Sequence, residues 1–99
     1  MKASFVYIMF SKSANRNYVG FTTEAPELRL ERHNSDYYQD KFTSKGKPWI
    51  LRFTIECENE KQARLIESHI KSMKSSKYIE NLIKYPEISE RLRDRFRNG

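Results

Sequence analysis

Two tyrosines, an arginine, a histidine and a glutamate stand out because their types and spacing could serve one reaction. Tyr7 closes the tripeptide Phe5-Val6-Tyr7, and after ten residues Tyr18 opens Tyr18-Val19-Gly20. Both lie in runs rich in β-branched and aromatic residues, where a tyrosine ordinarily packs its ring and leaves its hydroxyl at a wet edge. Phosphodiester hydrolysis would give such a phenol another use, since it needs a base close to the phosphorus. A phenol, with a pKa of about 10, takes a proton at neutral pH only where a cation favours its charged form. Arg29 and His33 are four residues apart, so on a helix they reach one point together. Glu67 stands four residues after Ala63 and three before Ile70, at the margin of an apolar stripe. A carboxylate there either pairs with Lys71 at i+4, worth about 0.3–0.5 kcal/mol if exposed, or holds Mg²⁺. That ion prefers oxygen ligands and keeps several waters, so one protein ligand is sufficient. His69, two residues beyond Glu67, points away from it and is given no role.

These residues need elements to position them. Residues 4–10 and 17–22 read as two strands of a β-hairpin, joined by the polar, turn-forming stretch 11–16. A third strand is predicted over 49–55, led in by the turn signal Lys45-Gly46-Lys47-Pro48. Pro26 and Glu27 start a helix that runs to about Asn34. Asn59 caps a second helix, with Ala63, Ile66, Ile70 and Met73 at three- and four-residue steps. A third helix over 76–84 carries Ile79, Leu82 and Ile83, and Tyr85-Pro86 stops it; Ile88, Leu92 and Phe96 mark a fourth. The order is ββαβααα, an α+β fold with a three-stranded antiparallel sheet on which the helices bury their apolar stripes.

Composition narrows the class. With 99 residues, 37% of them hydrophobic, the chain has room for one modest core, and 1–99 is expected to be a single domain. The lone Cys57 excludes a disulfide scaffold and a cysteine-based zinc finger, which makes a reducing interior the default. The apolar run 5–10 is too short for a signal-peptide core or a membrane span, so a soluble, cytoplasmic protein is expected. The net charge of +6 attracts phosphate polymers. It is unevenly spread: residues 1–23 and 41–55 hold basic side chains and no acid, whereas 24–40 hold five acids against Arg29 and Arg32. Lys45 and Lys47, near a glycine turn and Trp49, suit contact with a nucleic-acid backbone, though Trp49 reads better as core. Arg32 is a further such contact or a solvated helix charge. Tyr37 and Tyr38 either stack on bases or pack, and Arg91, Arg93, Arg95 and Arg97 suit the dipole of the last helix as well as they suit DNA.

The paired tripeptides resemble the signature of the GIY-YIG nuclease family, in which two tyrosines sit on adjacent strands of a hairpin. The resemblance continues through Arg29-Leu30-Glu31-Arg32-His33-Asn34, through Thr43-Ser44-Lys45-Gly46-Lys47-Pro48-Trp49 and through Glu67 in Gln62-Ala63-Arg64-Leu65-Ile66-Glu67, spanning about residues 4–84. It leaves a basic helix at about 87–97 outside the core. The resemblance implies an endonuclease that hydrolyses DNA with Mg²⁺ or Mn²⁺, leaving a 5′-phosphate and a 3′-hydroxyl. It gives Tyr18 the role of general base and lets Tyr7 orient the water or the Tyr18 hydroxyl. Arg29 matches the family's catalytic arginine, whose fork of donors suits a phosphoryl group gaining charge. His33 falls where the family has a His or Tyr, to orient water, assist the base, donate to a phosphate oxygen or hold a structural hydrogen bond. Glu67 becomes the metal ligand, which would position or acidify water.

The chain departs from the pattern at Phe5, which replaces the first glycine, and in the late asparagine, for which Asn81 is the candidate. Substrate choice would fall to a targeting partner protein or to relaxed specificity, because few residues lie outside the core. Two other classes fit the same charge: a module of this fold that binds DNA or RNA without cutting it, and a protein-interaction domain.

Overall fold

A computed structural model describes residues 3–35 and 45–97. The elements are β1 (Ser4–Ser11), β2 (Arg16–Thr22), α1 (Pro26–Asn34), β3 (Trp49–Cys57), α2 (Glu60–Met73), α3 (Ser76–Lys84) and α4 (Pro86–Arg95). This is the predicted α+β order, ββαβααα. Tyr37, Tyr38, Thr43 and Ser44 lie outside the described residues. Among the described residues no helix is long and apolar enough to cross a membrane.

The sheet runs β2-β1-β3 with both pairings antiparallel, so β1 is central. The hairpin turns at Asn15, whose φ of 52° is left-handed backbone that asparagine tolerates. Strand alternation sends Val6 and Ile8 to one face and Tyr7 and Met9 to the other. On the first face they join Val19, Ile55, Ala63, Ile66, Ile70, Leu82 and Leu92, so α2, α3 and α4 cover it. The second face carries a smaller core of Tyr7, Met9 and Trp49, packed with Tyr18, Leu30 and Leu51 under α1.

A bulge in β3 decides which residues reach this second face. Ile8 pairs with Phe53 but Met9 pairs with Leu51, leaving Arg52 as the extra residue. The odd-numbered apolar residues of β3 would otherwise share one face. The bulge shifts the phase, so Ile55 and Phe53 pack with α2 while Leu51 and Trp49 pack under α1. Arg52 itself donates to Asn17 Oδ1 at 3.2 Å and to Glu80 at 2.7 and 3.1 Å, tying the bulge to β2 and α3.

The helix starts follow from capping. Asn59 accepts from Gln62 N at 2.8 Å, and the Gln62 side chain accepts in return from Glu58 N at 2.6 Å. Ser75 caps α3 by accepting from Tyr78 N at 3.0 Å. The expected stripe of α2 ends at Ile70; Met73, next in the spacing, is exposed where the helix stops at the left-handed Lys74.

Candidate active site

The geometry starts from Gly20, which faces Tyr7 across the hairpin. The Tyr7 ring lies over it so closely that a Cβ there would stand 2.5 Å from the tyrosine Oη and 2.6 Å from Cζ. Glycine is therefore required at the end of the second tripeptide. Phe5, by contrast, pairs with Thr22 and Glu56 as an ordinary strand residue.

So placed, Tyr7 is 1% exposed and its hydroxyl shares a 3.0 Å hydrogen bond with His33 Nε2. Burial, and then the Arg29 guanidinium one turn back on α1, push the His33 pKa down to about 4. The imidazole is thus neutral at pH 7, and in the tautomer protonated at Nδ1 its Nε2 accepts from Tyr7. Tyr18 sits opposite Met9 on β2, its ring 5.3 Å from His33, 6.5 Å from Tyr7 and 6.1 Å edge-on from Trp49. Trp49 is 2% exposed, so it is core as expected and also a wall of this cluster.

Helix α1 is held in place by Asn34. Its side-chain amide donates to Trp49 O at 3.0 Å and its Oδ1 accepts from Trp49 N, a two-point clip between the end of α1 and the start of β3. Because His33 precedes Asn34, the clip sets its imidazole against the tyrosines, with Arg29 one turn earlier on the same helix.

Glu67 comes from α2, which packs on the opposite face but also borders β2 at the sheet edge. With Ala63, Ile66 and Ile70 turned into the core, Glu67 and Lys71 fall on the flank of the helix. The Glu67 side chain is 16% exposed, and its carboxylate lies 3.4 Å from Lys71 Nζ, which stands 5.8 Å from the centre of the Tyr18 ring. Carboxylate and phenol therefore flank one ammonium.

The GIY-YIG catalytic domain matches residues 3–79, from the first residue described into α3. The chain belongs to the GIY-YIG family. No curated protein and no solved structure matches it. The match carries a nuclease-type fold, and GIY-YIG proteins are typically endonucleases. Helix α4 lies beyond the matched span.

Of the residues predicted from the GIY-YIG resemblance, Tyr7, Tyr18 and His33 are in mutual contact, Arg29 acts electrostatically on His33, and Glu67 reaches Tyr18 through Lys71. The others lie elsewhere. Arg32 makes a two-point ion pair with Glu24 at 2.8 and 3.3 Å, bracing the segment before α1. Lys47 Nζ donates to Ser35 O at 3.3 Å, beside the end of α1. Lys45 is exposed and lines a cavity of about 170 Å³ with Ala14, Arg16, Gly46 and Trp49. Asn81 is on α3, in the helical layer of the opposite face, next to the buried Leu82. Sequence reasoning missed Asn34 as a clip and Lys71 as a neighbour of Tyr18. Asn34 lay within the Arg29 motif, and Lys71 was visible only as a partner for Glu67.

For a divalent ion, the described residues hold no group of three or more His, Cys, Asp or Glu side chains that could bind one. A hard cation that keeps most of its waters does not need such a group. The carboxylate that borders the cluster is that of Glu67, whose side chain is mostly enclosed and which already pairs with Lys71.

Proposed function

We propose that this chain is a divalent-metal-dependent endonuclease acting on DNA. One observation carries the reading: Tyr7, Tyr18 and His33, from β1, β2 and the end of α1, meet in one cluster, with Lys71 and its partner Glu67 beside Tyr18. In this proposal a backbone phosphate lies between Arg29 and Tyr18. Tyr18, as phenolate, receives a proton from the attacking water. The water oxygen bonds to phosphorus as the bond to the 3′-oxygen breaks, and that oxygen leaves as a hydroxyl after protonation by solvent. Arg29 holds the phosphate through two donors as negative charge builds on it. Tyr7 and the neutral His33 keep the Tyr18 ring and the water in line. Mg²⁺ or Mn²⁺ held by Glu67 would supply a polarised water and offset charge on the phosphate.

Plasmid nicking with Mg²⁺ tests this. Arg29→Ala and Glu67→Ala should each lower the rate by about 10²-fold or more, and equal rates in all three proteins would reject it. A second reading, a module of the same fold that binds nucleic acid without cutting it, is favoured by the Glu67–Lys71 ion pair, which already gives the carboxylate a counter-charge. Salt-sensitive binding with no cleavage of plasmid or branched DNA would select that reading.

A further inference from the structure

Lys71 follows Glu67 by one turn of α2, its ammonium 3.4 Å from Glu67 Oε2 and 5.8 Å from the centre of the Tyr18 ring. Glu67 is the more enclosed partner, with 16% of its side chain exposed against 51% for Lys71. A half-solvated ion pair contributes little to stability. Lysine in the last turn is also favoured by the helix dipole whatever it contacts. Its direction is what distinguishes it. Arg29 is carried by α1, whereas Lys71 brings its positive charge to the Tyr18 ring from α2. Lysine carries a compact charge with three donors on a flexible stem, so it can exchange one anion for another while the helix stays still.

We propose that Lys71 is a substrate-binding residue of this site. With nucleic acid bound, its ammonium contacts a phosphate oxygen beside Tyr18; without it, Glu67 holds the ammonium in readiness. The proposal rests on the reading of the Tyr18 cluster as the place where backbone phosphate sits. It adds that the phosphate is gripped from two elements, and that its arrival releases the Glu67 carboxylate.

The test is anisotropy of a fluorescein-labelled DNA duplex in EDTA, measured across a range of salt concentrations. Each phosphate contact made by a cation contributes about 0.9 to the slope of log K against log salt. Lys71→Gln should lower the slope by about that amount, and Lys71→Arg should retain it. Lys77→Gln, which removes an exposed charge from the first turn of α3, should match wild type. An unchanged slope in Lys71→Gln, or an equal loss in Lys77→Gln, would overturn the proposal. Cleavage plays no part in this assay. A protein showing these slopes but cutting no plasmid would refute the nuclease reading and leave Lys71 in place, whereas a cutting protein with an unaltered slope would do the reverse.

Discussion

At Gly20 a single hydrogen separates the backbone of β2 from the Tyr7 ring. Gly20→Ala would drive a methyl group into Cζ and Oη, and the buried ring has little room to retreat. We expect the substitution to destabilise the fold by about 1–3 kcal/mol and to displace the hydroxyl from His33, readable as a lower urea midpoint together with slower nicking. His33 makes a separate prediction. Burial first, and then Arg29, hold its folded pKa at about 4 against 6.5 for the free side chain. Between those values the unfolded chain binds the extra proton and the folded one does not, so stability rises with pH through this window. The contribution is complete above about pH 6.5 and is lost as the pH falls toward 4, amounting to at most about 3 kcal/mol. Urea unfolding at pH 4.5 and 7 should show this in wild type, and His33→Gln should flatten the difference. An equal pH dependence in both proteins would assign it to other groups.

Among the elements, α1 is fastened at its C-terminal end by one side chain, that of Asn34. Its N-terminus has no side-chain cap, since Ala25 occupies that position, whereas α2 and α3 are capped by Asn59 and Ser75. The Asn34 side chain closes the other end by satisfying both backbone groups of Trp49. Removing it leaves an enclosed N–H and C=O with lost partners, a change typically costing about 1–3 kcal/mol. Asn34→Ala should therefore speed hydrogen exchange at the Trp49 amide. It should also lower kcat more than it raises KM, because Arg29 and His33 would lose their alignment while the basic surface remains. Unaltered exchange at Trp49 would show that the Asn34 side chain does not fasten α1. Arg32, whose pairing with Glu24 ties α1 to the chain before it, belongs to the same support.

For the molecule as a whole, the sheet separates two tasks. Its first face holds the larger core, closed by α2, α3 and α4, with Gln62 Nε2 donating to Arg93 O at 2.9 Å to fasten α4 onto α2. The second face holds the smaller aromatic core and the tyrosine cluster. Helix α2 links them, since its inner stripe packs on the first face while Glu67 and Lys71 border the second. Leu92→Ala, on α4, should accordingly cost about 2–5 kcal/mol in unfolding free energy yet leave nicking at low temperature close to wild type. A large fall in rate with an intact fold would mean that α4 takes part in the reaction.

The extent of each element was legible in the residues because it rests on local physics. Asn59 and Ser75 can accept from the amides that follow them, Pro26 and Pro86 suit a first turn, and the β-branched runs around Tyr7 and Tyr18 flank a polar turn. The nuclease signature was legible for the same reason: its tripeptides and the Arg29–His33 spacing are short-range patterns. What stayed hidden depends on pairing between distant segments. Alternation along β3 marks Trp49, Leu51 and Ile55 as equivalent, and only the register against β1, slipped at Arg52, sends Trp49 and Leu51 toward Tyr18 and Ile55 away from it. In the same way, Lys71 reads as an i+4 partner of Glu67 until α2 is laid along β2, and Asn34 reads as the end of a helix until β3 arrives beside it. Periodicity tells a side chain which of its near neighbours it accompanies; what it meets across a sheet or a helix flank follows from how the elements dock.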